Sequence, residues 1–136
     1  MNARRYHRRM RIAALLLLVL PVAAYAADDP VWHNPSNSVH VRSYPCGANM
    51  CGSVVWANDK ATADARRGGT DPLVGAELFR DFAPAGTGLW RGKVFVPDIN
   101  KTFSGTVRRV DDETLEAKGC LVGHIGCRSQ IWKRVH

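Results

Sequence analysis

From residue 27 onward, no stretch of this chain sustains an apolar repeat of helical period. Gly, Pro, Asn and Asp interrupt it at intervals of roughly 8–15 residues, and the segments between are short and rich in Val, Phe, Trp and Thr. Segments this brief cannot bury an apolar face alone, so they must pair, and the pattern restricts the fold to an all-β sandwich or barrel. The expected strands are Val39–Tyr44, Ser53–Ala57, Glu77–Phe82, Leu89–Val96, Thr102–Val110, Thr114–Cys120 and Ser129–Val135, with a short one at Val31–His33 before them. Val39-His40-Val41-Arg42 alternates apolar with polar, as a half-exposed strand does. In Thr102–Val110, Phe103, Gly105 and Val107 share one face, and Thr102, Ser104, Thr106 and Arg108 the other. Pro97–Asn100 and Asp111–Glu113 have turn chemistry. Asn58–Gly69 is different: Ala61, Ala63 and Ala65 among charged neighbours predict one or two helical turns, ended by Gly68-Gly69. Its polarity marks it as a surface excursion between strands. There are no internal repeats, and nothing marks a second domain.

Residues 1–26 read as a cleavable secretory signal peptide. Arg4, Arg5, Arg8, Arg9 and Arg11 form a basic segment without an acid. An apolar run from Ile12 to Leu20 follows, then Pro21 and a small-residue cleavage site, Ala24-Tyr25-Ala26. The apolar run has about nine residues where a membrane-spanning helix needs about 20, so no transmembrane anchor is expected after cleavage. No twin-arginine consensus surrounds the Arg pairs, which points to the general secretory route. No Cys near the cleavage point invites a lipid. The expected location is therefore periplasmic or secreted. Removing the segment also changes the charge: the whole chain has 19 Lys+Arg against 12 Asp+Glu, net +7. Without the five signal Arg, 14 basic side chains face 12 acidic ones, a net of +2. A nucleic-acid partner loses its electrostatic argument at that balance. The doublets Arg66-Arg67 and Arg108-Arg109 read as solvated turn or strand faces.

Residues 27–136, about 110 in number, suit a single domain. All four cysteines lie there: Cys46, Cys51, Cys120 and Cys127. An even count in an exported chain reads as disulfides, for which four Cys allow three pairings. Cys46/Cys51 and Cys120/Cys127 each flank a short Gly-containing loop, which favours two local bridges. Long-range bridges would need the two regions to be neighbours across a closed barrel. The spacings C-x4-C and C-x6-C fit neither a thioredoxin-like C-x-x-C nor a zinc knuckle.

Few residues suggest site chemistry. Trp32, Trp56, Trp90 and Trp132 lie on or beside expected strands. Core packing explains them first. If the barrel keeps a cavity, Trp56, Trp90 and Trp132 are the candidates to line it. Asp98 and Asn100 lack the further acids and Gly of a calcium loop and read as a turn. His33, His40, His124 and His136 have no metal spacing. No G-x-S-x-G elbow, phosphate loop or nucleophile with a base is readable, so neither an enzyme, a metal nor a cofactor is expected.

The ordered blocks CGANMCGSVVWA, DPLVGAELFRDF, LWRGKVFVPDINKTFSGTV, LEAKGC and CRSQIWKRV resemble a bacterial exported family, domain of unknown function 2147, over about Val31 to Val135. Pro97–Phe103 departs from the family's usual D-P-x-x-G-K-x-Y hairpin, and the Cys120/Cys127 pair looks like a subgroup feature. The resemblance implies a small antiparallel up-and-down β-barrel, lipocalin-like or calycin-like, of roughly seven or eight strands. It also implies a barrel end closed by a Trp on the first strand and an Arg on the last, here Trp32 and Arg134. Gln130, Trp132 and Arg134 share one strand face, which is compatible with that. The family carries no common activity to transfer. Two functions follow as expectations: a module holding a small, partly apolar ligand, or an envelope interaction or structural protein with a filled barrel that acts through its outer surface around Arg66 and Arg67.

Overall fold

A computed structural model describes residues 29–122 and 125–136. The expected signal peptide and His124 lie outside these described residues. The elements are β1 (Val31–His33), β2 (Val39–Cys46), β3 (Asn49–Ala57), α1 (Asp59–Gly68), β4 (Glu77–Gly86), β5 (Leu89–Val96), β6 (Lys101–Asp111), β7 (Thr114–Val122) and β8 (Ile125–Arg134), with a 3-10 turn at Pro97–Ile99. The eight strands pair antiparallel, each with its sequence neighbours, and β8 returns to β1 to close the barrel. Up-and-down order places the turns after β2, β4 and β6 at one mouth, the hairpin end. The β1–β2 turn, α1, the 3-10 turn and the adjoining ends of β7 and β8 surround the other, the helix end.

Most strands run longer than the sequence suggests, β3, β4 and β8 most of all. β3 begins at Asn49, because Gly47-Ala48 makes a two-residue turn and the Cys46–Cys51 loop is itself a hairpin. Gly47 has φ 64, which a two-residue hairpin turn of this kind requires and a side chain resists. Cys120 and Cys127 stand directly opposite each other across the β7–β8 ladder. Both local pairs are bonded, Cys46–Cys51 and Cys120–Cys127. One disulfide therefore staples a hairpin at each mouth.

α1 runs for ten residues. The Asn58 side chain accepts from the Ala61 amide, and Gly69 at φ 103 caps the other end with its N–H on Ala65 and Arg66 carbonyls. The surface-excursion reading needs correction: Ala65 is fully buried in the core and Ala61 packs against it. Ala61 and Ala65 are four apart and share a helix face, which the segment's mean polarity hides. Leu73, from a stretch that reads as loop, is buried too, and its turn is tied to β3 by the Val54 amide on the Ala76 carbonyl at 2.9 Å.

Within the barrel, aromatic rings pack against glycines. A Cβ on Gly92 would lie 2.8 Å from the Phe82 ring and 2.6 Å from the Arg80 carbonyl oxygen. One on Gly52 would lie 2.9 Å from the Phe79 ring. The seats left by the missing side chains hold rings that a filled inner wall would exclude. Gly92→Ala should therefore cost about 1–3 kcal/mol in denaturant unfolding. Gly119→Ala, whose Cβ meets nothing within 4 Å, should stay within about 0.5 kcal/mol. Equal costs at the two sites would refute ring seating as the reason for Gly92. Removing either disulfide by a double Cys→Ser change should cost about 2 kcal/mol in the same assay, the chain-entropy value for loops this short.

Candidate functional site

The aromatic residues do not fill the barrel. Phe79 and Trp132 meet edge to face across the interior, ring centroids 5.5 Å apart, and Phe79 meets Phe82 at 5.8 Å. This belt separates two hollows, and Phe79, Ala117 and Trp132 line both.

The hollow at the hairpin end has a volume of about 210 Å3 and is walled by Trp32, Met50, Phe82, Trp90, Leu115 and Trp132 among others. Its polar groups are already engaged. The Trp32 Nε1–H donates to Ser43 Oγ at 3.1 Å, and Arg109 at the rim pairs with Asp112 at 3.0 Å. No carboxylate or histidine is among its described lining residues, and its one cysteine, Cys51, is disulfide-bonded. Apolar cavities of roughly 150 Å3 stay dry and accept a benzene-sized guest, so this hollow suits one ring or a short chain.

The cleft at the helix end is larger, about 770 Å3, bounded by α1, the β1–β2 turn, the 3-10 turn and the β7–β8 hairpin. Leu78, Phe79, Val94, Phe103 and Trp132 form its apolar floor and wall. Its polar lining comes from the β1–β2 turn, from α1 and its Asn58 cap, from Asp98 and from β8. The β7–β8 register is unbroken from Lys133 to Cys127, so strand alternation puts Arg128, Gln130 and buried Trp132 on one inner face. Opposite them on β7 stand Gly119, Ala117 and Leu115. Gln130 Oε1 accepts from Trp132 Nε1 at 3.2 Å, leaving the amide NH2 of Gln130 as a donor. Arg128 makes no ion pair among the described residues, whereas Asp64 across the mouth is held by Lys60 at 2.7 Å and by Arg67. Those two cations, with the Lys60 hydrogen bond leading, hold the Asp64 carboxyl below the usual carboxylate range.

The structure distributes the sequence-derived candidates unevenly. Trp90 and Trp132 line the interior. Trp56 does not: it is 43% exposed on the outer wall, packed at a tilt against His40 with centroids 4.5 Å apart. A register shift between His40 and Val41 in the β2–β3 pairing interrupts simple alternation there. Trp32 and Arg134 stand directly opposite each other across the β1–β8 seam. Arg66 pairs with Asp71 at 3.4 Å on the surface. Asp98 lies in the 3-10 turn at the cleft mouth, and Asn100 caps that turn at φ 49. Asp81 lies beside Cys46 and Cys51, but sulfurs joined to each other are not thiolate ligands. Arg128 is absent from the sequence-derived candidates. Extending the period of two backwards from Trp132 through Gln130 would have found it.

The sequence over residues 31–134 matches the family described as an uncharacterized protein conserved in bacteria, DUF2147. The chain belongs to the DUF2147 family. No curated protein matches it. The barrel is similar to a solved structure described as protein HP1028 from the human pathogen Helicobacter pylori, which belongs to the lipocalin family. The TM-score is 0.61 at 13% identity, over 79% of this chain and 82% of that one. The likeness confirms for this DUF2147 chain the eight-stranded lipocalin-like barrel that the sequence resemblance implies. Among the described residues no helix is long and apolar enough to cross a membrane. The two disulfides suit an oxidising, extracytoplasmic environment.

On the outer wall, His33 and His40 face each other across β1 and β2 with centroids 6.2 Å apart. Burial first, and then the neighbouring His33, hold the His40 imidazole below its usual 6.5. A depressed histidine value means the unfolded chain takes up the proton more readily. The contribution of His40 is thus fully present above about pH 6.5 and lost as pH falls from there through the folded value. NMR titration should find the His40 midpoint below 6.5, and His33→Ala should move it upward. A midpoint unchanged by His33→Ala would show that burial alone sets it.

Proposed function

We propose that this DUF2147 protein is an exported, non-catalytic carrier that holds one small, partly apolar molecule inside its barrel. The observation that carries the reading is the helix-end cleft. A volume of about 770 Å3 falls within the range of roughly 300–1,000 Å3 typical of small-molecule sites. Its apolar floor and few convergent polar groups match such sites in character as well. The hairpin-end hollow of about 210 Å3 adds room for a slender extension past the Phe79–Trp132 belt, should those rings turn aside. The expected signal peptide and the two disulfides support a working place outside the cytoplasm. Action through the outer surface alone calls for a filled barrel, and two hollows weigh against that.

The experiment is thermal unfolding of the mature domain with and without an envelope lipid extract, followed by mass spectrometry of what co-purifies. At a free ligand concentration of about 100 Kd the stabilisation is about 2.7 kcal/mol. For a domain of this size that raises the midpoint by roughly 10–20 °C. No shift at saturating extract, with nothing retained through purification, would sink the carrier reading.

A further inference from the structure

We propose that the helix-end cleft takes a single-chain amphiphile with an anionic head, its carboxylate or phosphate on Arg128 and Gln130 and its tail running along the inner wall toward Trp132. This rests on the carrier reading and names the class of ligand.

Strand alternation and the cleft lining place Arg128, exposed to solvent, at the mouth of the cleft, and no carboxylate pairs with it among the described residues. The residue opposite Arg128 is Gly119, where a Cβ would meet nothing within 4 Å. The guanidinium thus stands beside open space. Gln130, one inward position deeper, gives its oxygen to the Trp132 indole and keeps its NH2 donors for a guest. A planar guanidinium fork beside an amide donor suits an oxyanion that accepts two or three hydrogen bonds. The cleft lining carries Lys60, Lys118 and Arg128 against Asp64 and Asp98, and Lys60 and Arg67 already engage Asp64. Alternation turns Lys118, opposite Ser129, to the outer face, so Arg128 and Asp98 are the charges left uncommitted at the mouth.

Below this polar rim the wall is apolar: Ala117, Val94, Phe103 and Phe79 lead down to Trp132. Arg128 to Trp132 is four residues along β8, a depth of about 13 Å at roughly 3.3 Å per residue. That depth suits one extended alkyl chain of medium length.

Four probes with the same ten-carbon tail test the head group on the mature domain: decanoate, decyl phosphate, 1-decanol and decyltrimethylammonium. Binding is read by calorimetry and by Trp fluorescence. Wild type should bind the two anions at least tenfold more tightly than decanol, and decyltrimethylammonium weakest. The ratio of decanoate to decyl phosphate shows which oxyanion the site prefers. Arg128→Gln should weaken both anions tenfold or more and leave decanol unchanged, with an unaltered unfolding midpoint. Gly119→Leu, which fills the space facing Arg128, should weaken all four probes. Equal affinity for decanol and decanoate, or anion binding indifferent to Arg128→Gln, would overturn the anionic class while leaving the carrier reading intact. If none of the four binds but the lipid extract still stabilises, the ligand class is wrong and the carrier stands. If neither probes nor extract bind, both fail.

Discussion

The barrel depends on a seam made by three residues. β1 is only Val31–His33, and it meets β8 at two positions, Trp32 opposite Arg134 and His33 opposite Lys133. Backbone bonds alone would leave so short a junction weak. Trp32 adds burial: it is 6% exposed, lies opposite Val41 on β2, and its indole N–H is satisfied by Ser43. The Val135 amide bonds the Val31 carbonyl at 2.8 Å just past the end of β8. Were this seam to open, the sheet would gain two free edges and its aromatic interior would meet water. Every hollow inside the barrel presupposes that it holds.

A closed barrel of eight strands has an interior only just wide enough for side chains to fill it. In this chain glycines at 52, 92 and 105 remove side chains from the inner wall, and Phe79 and Phe82 occupy part of the space they vacate. Large rings gathered at one level leave less apolar volume above and below. The result is a waist of aromatics with a hollow on either side, instead of a uniformly packed core. The same economy explains the disulfides. Each ties a hairpin beside a mouth, where packing is thinnest and strand ends would otherwise fray. α1 covers part of the helix end with a two-alanine face, small enough to approach the strands closely without plugging the cleft.

Much of this was legible in the chain. Strand positions, the turn at Pro97–Asn100, the helix stop at Gly68-Gly69 and the two local cysteine pairs follow from short-range chemistry: turn residues, alternation and loop length. What escaped was set by partners distant in sequence. Asn49–Cys51 reads as loop but becomes strand once Gly47-Ala48 turns the chain back and pairs Cys46 with Asn49 and Tyr44 with Cys51. Leu73 sits in a stretch without periodicity, and only the barrel end gives it a core to enter. Trp56 looks as suitable for a cavity as Trp90, but a shift in the β2–β3 register leaves it against His40 on the outside.

By itself, then, the order of residues decided that this domain is built of roughly seven or eight paired strands and where most of them turn, since those depend on local backbone preference and a period of two. Closure, the level at which rings cluster, and the space left beside Arg128 were decided only in three dimensions. A hollow is defined by the atoms that fail to fill it, and which atoms those are depends on strand stagger and on neighbours brought together from across the chain. Neither is written in any short window of residues.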